Sequence, residues 1–172
     1  MGLWELLSWR WTDDVEECRR RQRAAVLKAA ELDPGDGLAL ANLAYLRVRD
    51  GDLFGARETV ERAIGVGANH ADALALLARY VATLLDRPNE AVSLMNRSFV
   101  LNPHAPTWYF LHHIRVAYFG RLFELALDHF ARIKSDPAAS ILPIRPQMMF
   151  RILALAQLGR EVGYRRTRTL RD

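Results

Sequence analysis

The chain of 172 residues contains a single cysteine and no apolar run long enough to cross a bilayer. Cys18 cannot form an internal disulfide and has no Cys or His at metal-ligand spacing, which favours a reducing compartment. A signal peptide is not expected, because the apolar stretch from Met1 to Trp11 has no basic residue before it and soon meets Asp13 and Asp14. We therefore expect a cytoplasmic protein without a structural metal and without a membrane anchor.

Motifs of catalysis and cofactor binding are absent as well. There is no Gly-x-Ser-x-Gly, no P-loop and no dinucleotide fingerprint, since Gly65-Val66-Gly67 lies at a break between predicted helices and not after a strand. The segment Asp33–Gly37 lacks the spaced carboxylates of a calcium loop. We therefore expect neither an enzyme nor a bound cofactor.

Helical signals dominate what the sequence does contain. Apolar residues recur at helical spacing in paired stretches with short breakers between them, and no segment alternates with period two for long enough to demand a strand. Hydrophobic residues make up 51% of the chain and charged residues 26%, which matches a folded globular domain. The sequence therefore predicts an all-α fold.

One spacing recurs along most of the chain. Similar surroundings repeat at Gln22, Ala56, Ala91 and Ala126, which are 34, 35 and 35 residues apart. The last three are followed four residues later by large apolar side chains: Val60, Met95 and Phe130. A period of about 34 residues built from two helices is typical of tetratricopeptide repeats. We therefore expect a right-handed α-solenoid of about five helix pairs, in which small residues let paired helices approach closely.

The breakers divide residues 1–172, one predicted domain, into approximate repeats at 3–36, 37–70, 71–105, 106–138 and 146–172. A short helix from Leu3 to Trp11 is expected to precede a longer one that ends at Leu32. Asp13 and Glu16 would form the capping box of that longer helix. Turns within the later repeats are predicted at Asp50–Asp52, Gly120 and Gly159, with one extra residue near Asp86–Pro88.

Four stretches carry a more particular resemblance: residues 9–16 (Trp-Arg-Trp-Thr-Asp-Asp-Val-Glu), 31–34 (Glu-Leu-Asp-Pro), 102–109 (Asn-Pro-His-Ala-Pro-Thr-Trp-Tyr) and 155–160 (Leu-Ala-Gln-Leu-Gly-Arg). They resemble the tetratricopeptide regions downstream of the catalytic domain in many bacterial class III adenylate/guanylate cyclases, and those of some winged-helix transcription regulators. The resemblance implies a sensory or interaction module whose parent protein makes cyclic nucleotide or controls transcription. Since repeats are expected over essentially all 172 residues and leave no room for a cyclase catalytic domain, it also implies a detached, truncated or excised regulatory part.

First helices line the concave surface of such arrays, so their groove positions supply the candidate binding residues. The set is Leu38, Asn42, Tyr45 and Arg49, then Asp72, Leu76, Arg79 and Thr83, then Trp108 and Tyr109, with Ala41 and Ala75 beside them. The aromatic run that includes Trp108 and Tyr109 exceeds one buried stripe, so we expect one or two rings to serve as binding anchors. The clamp with which some tetratricopeptide proteins hold a chaperone carboxylate is not expected, because the only lysines are Lys28 and Lys134.

Two further features have competing interpretations. His112, His113 and His129 could approach one another, but ordinary packing is favoured over a metal site, because adjacent histidines point to different faces of a helix. The net charge of +4 is concentrated in two arginine clusters, at residues 19–23 and 160–171. They could contact nucleic-acid phosphates, although a solvated helix face is the simpler interpretation for the first.

Taken alone, the sequence favours a non-catalytic scaffold that binds a peptide, a helix or a neighbouring domain in its concave groove. Such a scaffold fits a regulatory module of a bacterial signalling protein such as a nucleotide cyclase. The alternative is a basic helical module of a transcription regulator that contacts nucleic acid through the arginine clusters. A third interpretation is a homo-oligomer that associates through Trp4, Trp9 and Trp11.

Overall fold

The computed structural model describes residues 14–66, 69–135 and 145–160. These residues form eight α-helices and no strand, which confirms the all-α prediction for this part of the chain. The helices are α1 (Val15–Leu32), α2 (Gly37–Arg49), α3 (Leu53–Gly65), α4 (Ala71–Thr83), α5 (Pro88–Leu101), α6 (Thr107–Phe119), α7 (Phe123–Ser135) and α8 (Arg145–Gln157). None of them combines the length and the apolar composition that a bilayer span requires. The helices predicted at Leu3–Trp11 and from Glu161 onward lie outside the described residues.

An aspartate is the N-cap residue of each of the first three helices. The Asp14 side chain accepts a hydrogen bond from the backbone N–H of Glu17 at 2.8 Å, and Asp36 and Asp52 cap α2 and α3 in the same manner. Such caps contribute about 0.5–2 kcal/mol each because they satisfy donors that the first helical turn leaves unpaired. The prediction that Asp13 caps α1 was wrong by one residue: Asp14 has the non-helical backbone of the cap and lies three residues before Glu17.

The helices pack in the order in which they occur in the chain. Short turns connect α2 to α3, α4 to α5 and α6 to α7, and the two helices of each pair pack against each other. The first helices of these pairs also form a row, in which α2 contacts α4, α4 contacts α6 and α6 contacts α8. We call α2, α4, α6 and α8 the front helices, and α3, α5 and α7 the back helices.

Two clusters of buried side chains form the core. The first cluster contains side chains from helices α2, α3, α4 and α5. It is rich in alanine, with Ala44, Ala63 and Ala78 fully buried beside larger residues such as Leu77. The second cluster joins α6, α7 and α8 and is built from the buried side chains Phe110, Leu111, Ile114, Ala117, Ala126, Phe130, Ile133 and Phe150. Helix α6 contributes to both clusters, since Tyr109 and Val116 belong to the first. The position of α6 therefore fixes the two clusters relative to each other.

The turns share one backbone feature that the sequence analysis did not identify. A residue with positive φ follows each of four helices: Gly51, Asp86, Arg121 and Gly159, with φ of 80°, 55°, 60° and 65°. These residues are 35, 35 and 38 positions apart. In three of the turns the N–H of the residue directly after the left-handed one donates to the carbonyl five residues earlier, as from Asp52 to Arg47 at 2.9 Å, a Schellman-type ending.

The third turn lies at Gly120, as the sequence predicts, and the second turn lies at the predicted segment Asp86–Pro88. Gly120 has φ of −74°, so the left-handed residue of the third turn is Arg121. Gly120 is needed for its size, because a Cβ there would lie 2.8 Å from Cγ2 of Val92. In the second turn Arg87 bonds back to the Val81 carbonyl, one residue further than in the other turns, so the extra residue lies where it was expected.

Side chains also link each helix pair to the next. Arg62 of α3 donates to the carbonyl of Pro34 at 2.5 Å, and Arg57 donates to the carbonyl of Leu84. Arg87 forms a bidentate ion pair with Glu61, with its shorter contact at 2.5 Å. All of these links join residues 26 to 28 positions apart, so they connect neighbouring parts of the chain only.

Candidate binding surface

The front helices bring one predicted groove residue from each of α2 and α4 into contact. The guanidinium carbon of Arg79 lies 5.5 Å from the ring centroid of Tyr45, and that of Arg49 lies 5.7 Å from the same ring. Tyr45 and Arg79 are half-buried and Arg49 is exposed. A cation within about 6 Å of an aromatic ring is attracted to its face. The contacts therefore hold two arginines around one tyrosine on the front helices.

Arg79 has a second aromatic neighbour. Its guanidinium carbon lies 4.3 Å from the ring centroid of Tyr80, and it donates a hydrogen bond to the Tyr80 hydroxyl. Its Nε is buried and has no hydrogen-bond partner among the described residues. Stacking on the ring restricts the orientation of the guanidinium. Some of its five N–H donors have no acceptor among the described residues.

Arg115 continues the row on α6. Its guanidinium carbon lies 5.3 Å from the ring centroid of Phe150 on α8. Removal from water lowers the pKa of Arg115, and the positive charge of Arg79 lowers it further. Two arginines on adjacent front helices therefore repel each other. We call Tyr45, Arg79 and Arg115 the groove row.

His112 lies beside this row. Removal from water lowers its pKa well below 6.5, and the charges of Arg79 and Arg115 lower it further. The Trp108 ring meets the imidazole edge-on with centroids 5.5 Å apart. His112 is therefore a neutral polar side chain close to Arg79 and Arg115. Half-buried Trp108 is the apolar side chain that contacts it.

Carboxylates do not neutralise the centre of the row. Among the described residues no Asp or Glu forms an ion pair with Arg79 or Arg115. The front-helix carboxylate Asp72 instead accepts a hydrogen bond from the Tyr109 hydroxyl at 2.5 Å. Burial raises the pKa of Tyr109, and this hydrogen bond raises it further, so Tyr109 stays protonated and donates to Asp72. Arg79 and Arg115 therefore have no carboxylate counterion among these residues.

Several predicted groove residues pack against the core or lie beside the row. Leu38, Leu76 and Trp108 are half-buried and pack against the first cluster. Thr83 is exposed, but its hydroxyl donates to the carbonyl of Arg79 at 2.8 Å, within its own helix. These side chains are therefore engaged in packing or in a hydrogen bond within their own helix.

Two predicted groove residues are not available to a partner. Asn42 is 5% exposed and its side-chain amide donates to the Leu38 carbonyl at 2.8 Å, which satisfies the buried group locally. Tyr109 is fully buried. The neighbouring alanines Ala41 and Ala75 are fully buried as well. These assignments were wrong because the packing of successive front helices buries more of each helix than the groove pattern allowed.

Arg115 was not among the groove residues predicted from the sequence, although the sequence contains a signal for it. Tyr45 lies 11 residues before Ala56, and Arg115 lies 11 residues before Ala126. Arg79 lies 12 residues before Ala91 because of the extra residue in the second turn. Counting back from the alanine of each second helix therefore finds all three members of the groove row.

The histidines form a separate buried site. The rings of His113 and His129 lie 4.4 Å apart between centroids, in contact with Phe99 and Phe110. Burial lowers the pKa of both, to about 3 for His113. His112 points elsewhere, as the sequence predicted. In the described part of the chain no group of three His, Cys, Asp or Glu side chains could hold a metal ion.

Acidic neighbours partner the described members of both arginine clusters. Arg19 pairs with Glu16 at 2.5 Å, and Arg20 and Arg21 both pair with Glu17 at 2.7 Å. Arg160 forms a bidentate pair with Glu124, with contacts of 2.6 and 2.8 Å. The remaining arginines of the second cluster lie outside the described residues, as do Trp4, Trp9 and Trp11.

Comparisons of the chain with protein-family models, with curated proteins and with solved structures found no match.

Proposed function

We propose that the chain is a right-handed tetratricopeptide solenoid that acts as a non-catalytic scaffold and binds a protein segment along its front helices. The observation that carries this proposal is the groove row, a line of surface side chains to which three successive front helices contribute one residue each. A preformed surface binds a peptide or helix at low ordering cost, since its own side chains are already oriented.

The backbone supports the solenoid part of the proposal. Each helix makes its substantial contacts with helices one or two positions away in the chain, and the first helices contact one another in order. Left-handed turn residues recur at intervals of 35 and 35 residues. Both features are typical of repeats that contact only their neighbours. The resemblance to cyclase regions adds that the scaffold serves a bacterial signalling protein.

A capture experiment tests the scaffold. The purified chain is used to retain proteins from nuclease-treated bacterial lysate, and the same is done with Tyr45→Ala plus Arg79→Ala. We expect at least one protein to be retained by the wild type and lost by this variant, with helical content and melting temperature unchanged. The matched control is Phe54→Ala plus Arg132→Ala, which removes an exposed aromatic residue and an exposed arginine from back helices.

Three results would contradict the proposal. Equal losses by both double variants would show that the front helices are not special. Retention that survives Tyr45→Ala plus Arg79→Ala would remove the groove row from the binding surface. Capture that appears only when nucleic acid is left intact would favour the alternative, a nucleic-acid-binding module, whose affinity should fall steeply with salt.

A further inference from the structure

We infer that the groove row holds a carboxylate of an acidic peptide segment between Arg79 and Arg115. This inference rests on the proposed scaffold function and specifies the chemistry of its partner. It also differs from the lysine-containing clamp considered above, since it uses two arginines, each stacked on an aromatic ring.

Repulsion between Arg79 and Arg115 favours the binding of an anion. Arg79 and Arg115 lie on adjacent front helices, and the charge of Arg79 lowers the pKa of Arg115. Like charges brought together and partly removed from water destabilise the unbound protein. A carboxylate placed between them would interact favourably with both guanidinium groups. The unbound surface is therefore complementary to an anion.

The orientation of the two guanidinium groups also favours a carboxylate. Tyr80 stacks against Arg79, and Phe150 stacks against Arg115, so aromatic contacts restrict both guanidinium planes. A guanidinium held by its face presents its N–H donors at the edge, where a carboxylate accepts two parallel hydrogen bonds. Among the described residues the Tyr80 hydroxyl is the one acceptor that Arg79 has, so other terminal N–H groups of this guanidinium remain for a ligand.

A comparison with other arginines supports this interpretation. Arg23, Arg87 and Arg160 each pair with a carboxylate of the chain at 2.5 to 2.6 Å. Arg57 and Arg62 donate to backbone carbonyls. Most of the described arginines thus have an acceptor within the chain, whereas Arg79 and Arg115, like Arg121, Arg132 and Arg151, have no carboxylate or backbone carbonyl partner among these residues.

The flanking side chains favour a peptide over a nucleic acid. Half-buried Trp108 contacts His112 beside the row, and half-buried Leu38 and Leu76 lie on the same front helices as Tyr45 and Arg79, so apolar side chains of a peptide have partners on these helices. Asp72 on the same front helix as Arg79 would repel a phosphate backbone. Nucleic-acid binding without sequence preference needs a continuous basic track, whereas the row offers a short cationic centre.

The experiment uses a fluorescein-labelled short peptide of Glu, Leu and Ala, and a matched peptide with Gln in place of Glu. Fluorescence anisotropy measures the affinity of the full chain for both. We expect the Glu peptide to bind about tenfold more tightly, as a charge-assisted bidentate contact allows. Arg79→Gln and Arg115→Gln should each weaken its binding by about tenfold, and Arg79→Lys should restore only part of it.

Arg132→Gln is the matched control. Arg132 also stacks on an aromatic ring, with its guanidinium carbon 4.4 Å from the Phe110 centroid, but it lies on back helix α7. Its substitution changes the net charge equally and should leave the affinity within about twofold. A second measurement needs no variant: in the wild-type chain, the Glu peptide should shift the Nε–Hε resonance of Arg79 in an NMR titration and the Gln peptide should not.

The outcomes separate this inference from the proposed function. Equal affinity for the Glu and Gln peptides, or equal weakening by Arg132→Gln, would overturn the carboxylate site. Tighter binding of a single-stranded oligonucleotide through the same arginines would overturn it in favour of a phosphate ligand. If proteins are captured through Tyr45 while Arg79→Gln and Arg115→Gln have no effect on capture or peptide binding, the scaffold stands and the carboxylate inference fails.

Discussion

The two buried clusters solve the same packing problem with different side chains. In the first cluster, fully buried alanines such as Ala44 and Ala78 let helices approach closely. In the second cluster, Phe110, Phe130 and Phe150 fill a wider space, and His113 and His129 lie against the same rings. The first cluster should therefore tolerate no added volume. The stability of the second cluster should depend on ring packing and on the protonation of the enclosed imidazoles.

Removing a ring from the second cluster should have the largest effect. Phe130→Ala is expected to lower the free energy of unfolding by about 3–5 kcal/mol, because it deletes buried apolar surface and leaves a cavity. Urea denaturation followed by circular dichroism measures this change. Phe54→Ala is the control, since Phe54 is 73% exposed and should change the free energy of unfolding by less than about 0.5 kcal/mol. Similar values for both variants would show that the second cluster is not a packed core.

Acid should have the next largest effect on stability, and it should act on the second cluster. The folded-state pKa of His113 is lowered to about 3 from 6.5, and that of His129 is also lowered, so the unfolded state binds more protons below pH 6.5. Stability is therefore fully present above pH 6.5 and falls as the pH drops toward 3. The expected loss is up to about 1.4 kcal/mol per pH unit for His113, and His129 and His112, whose pKa values are also lowered, add further losses.

The measurement is urea denaturation at a series of pH values between neutral and about 4.5. His113→Phe, which places another ring beside Phe99 and Phe110, should make the pH dependence shallower, with the remaining slope caused by His112 and His129. His104→Phe removes an exposed histidine and should leave the dependence unchanged. An unaltered slope in His113→Phe would mean that other groups cause the acid sensitivity.

Added volume should damage the first cluster by a smaller amount. Ala78→Leu is expected to cost about 1–3 kcal/mol, because the extra carbons push apart helices that contact each other through alanine. Thermal melting in parallel with Ala131→Leu, at an exposed position on α7, gives the comparison. Equal melting temperatures would show that α4 has room that the structure does not contain.

The turns offer the smallest change, and they compare one helix pair of each cluster. Arg121 adopts φ of 60°, a conformation that disfavours side chains, so Arg121→Gly should raise the free energy of unfolding by up to about 1 kcal/mol. Gly51→Ala should lower it by about 1 kcal/mol. A Cβ at Gly51 meets no atom within 4 Å, so backbone strain alone would cause that loss. A stabilising Gly51→Ala would contradict the assigned turn geometry.

The sequence predicted the helices better than the surface. The 35-residue spacing placed Ala56, Ala91 and Ala126 in second helices, where all three are fully buried. Helix breakers such as Asp33 and Asp50 marked ends correctly, because turn chemistry is local. Asn42 and Tyr109 were misplaced because burial depends on how adjacent front helices pack, which no single helix encodes. Arg121 escaped notice because left-handed backbone at a non-glycine residue leaves little trace in a sequence.

The order of helix contacts also bears on how this chain folds. Helix α8, for example, makes its substantial contacts with α6 and α7, and α1 with α2. Contacts between segments close in sequence require only short loops to close, so helical proteins of low contact order fold in microseconds to milliseconds. Amide exchange should then be graded along the chain, and slowest in α4 and α6, which have neighbours on both sides. Fraying of α8 would leave the alanine-rich pairs assembled.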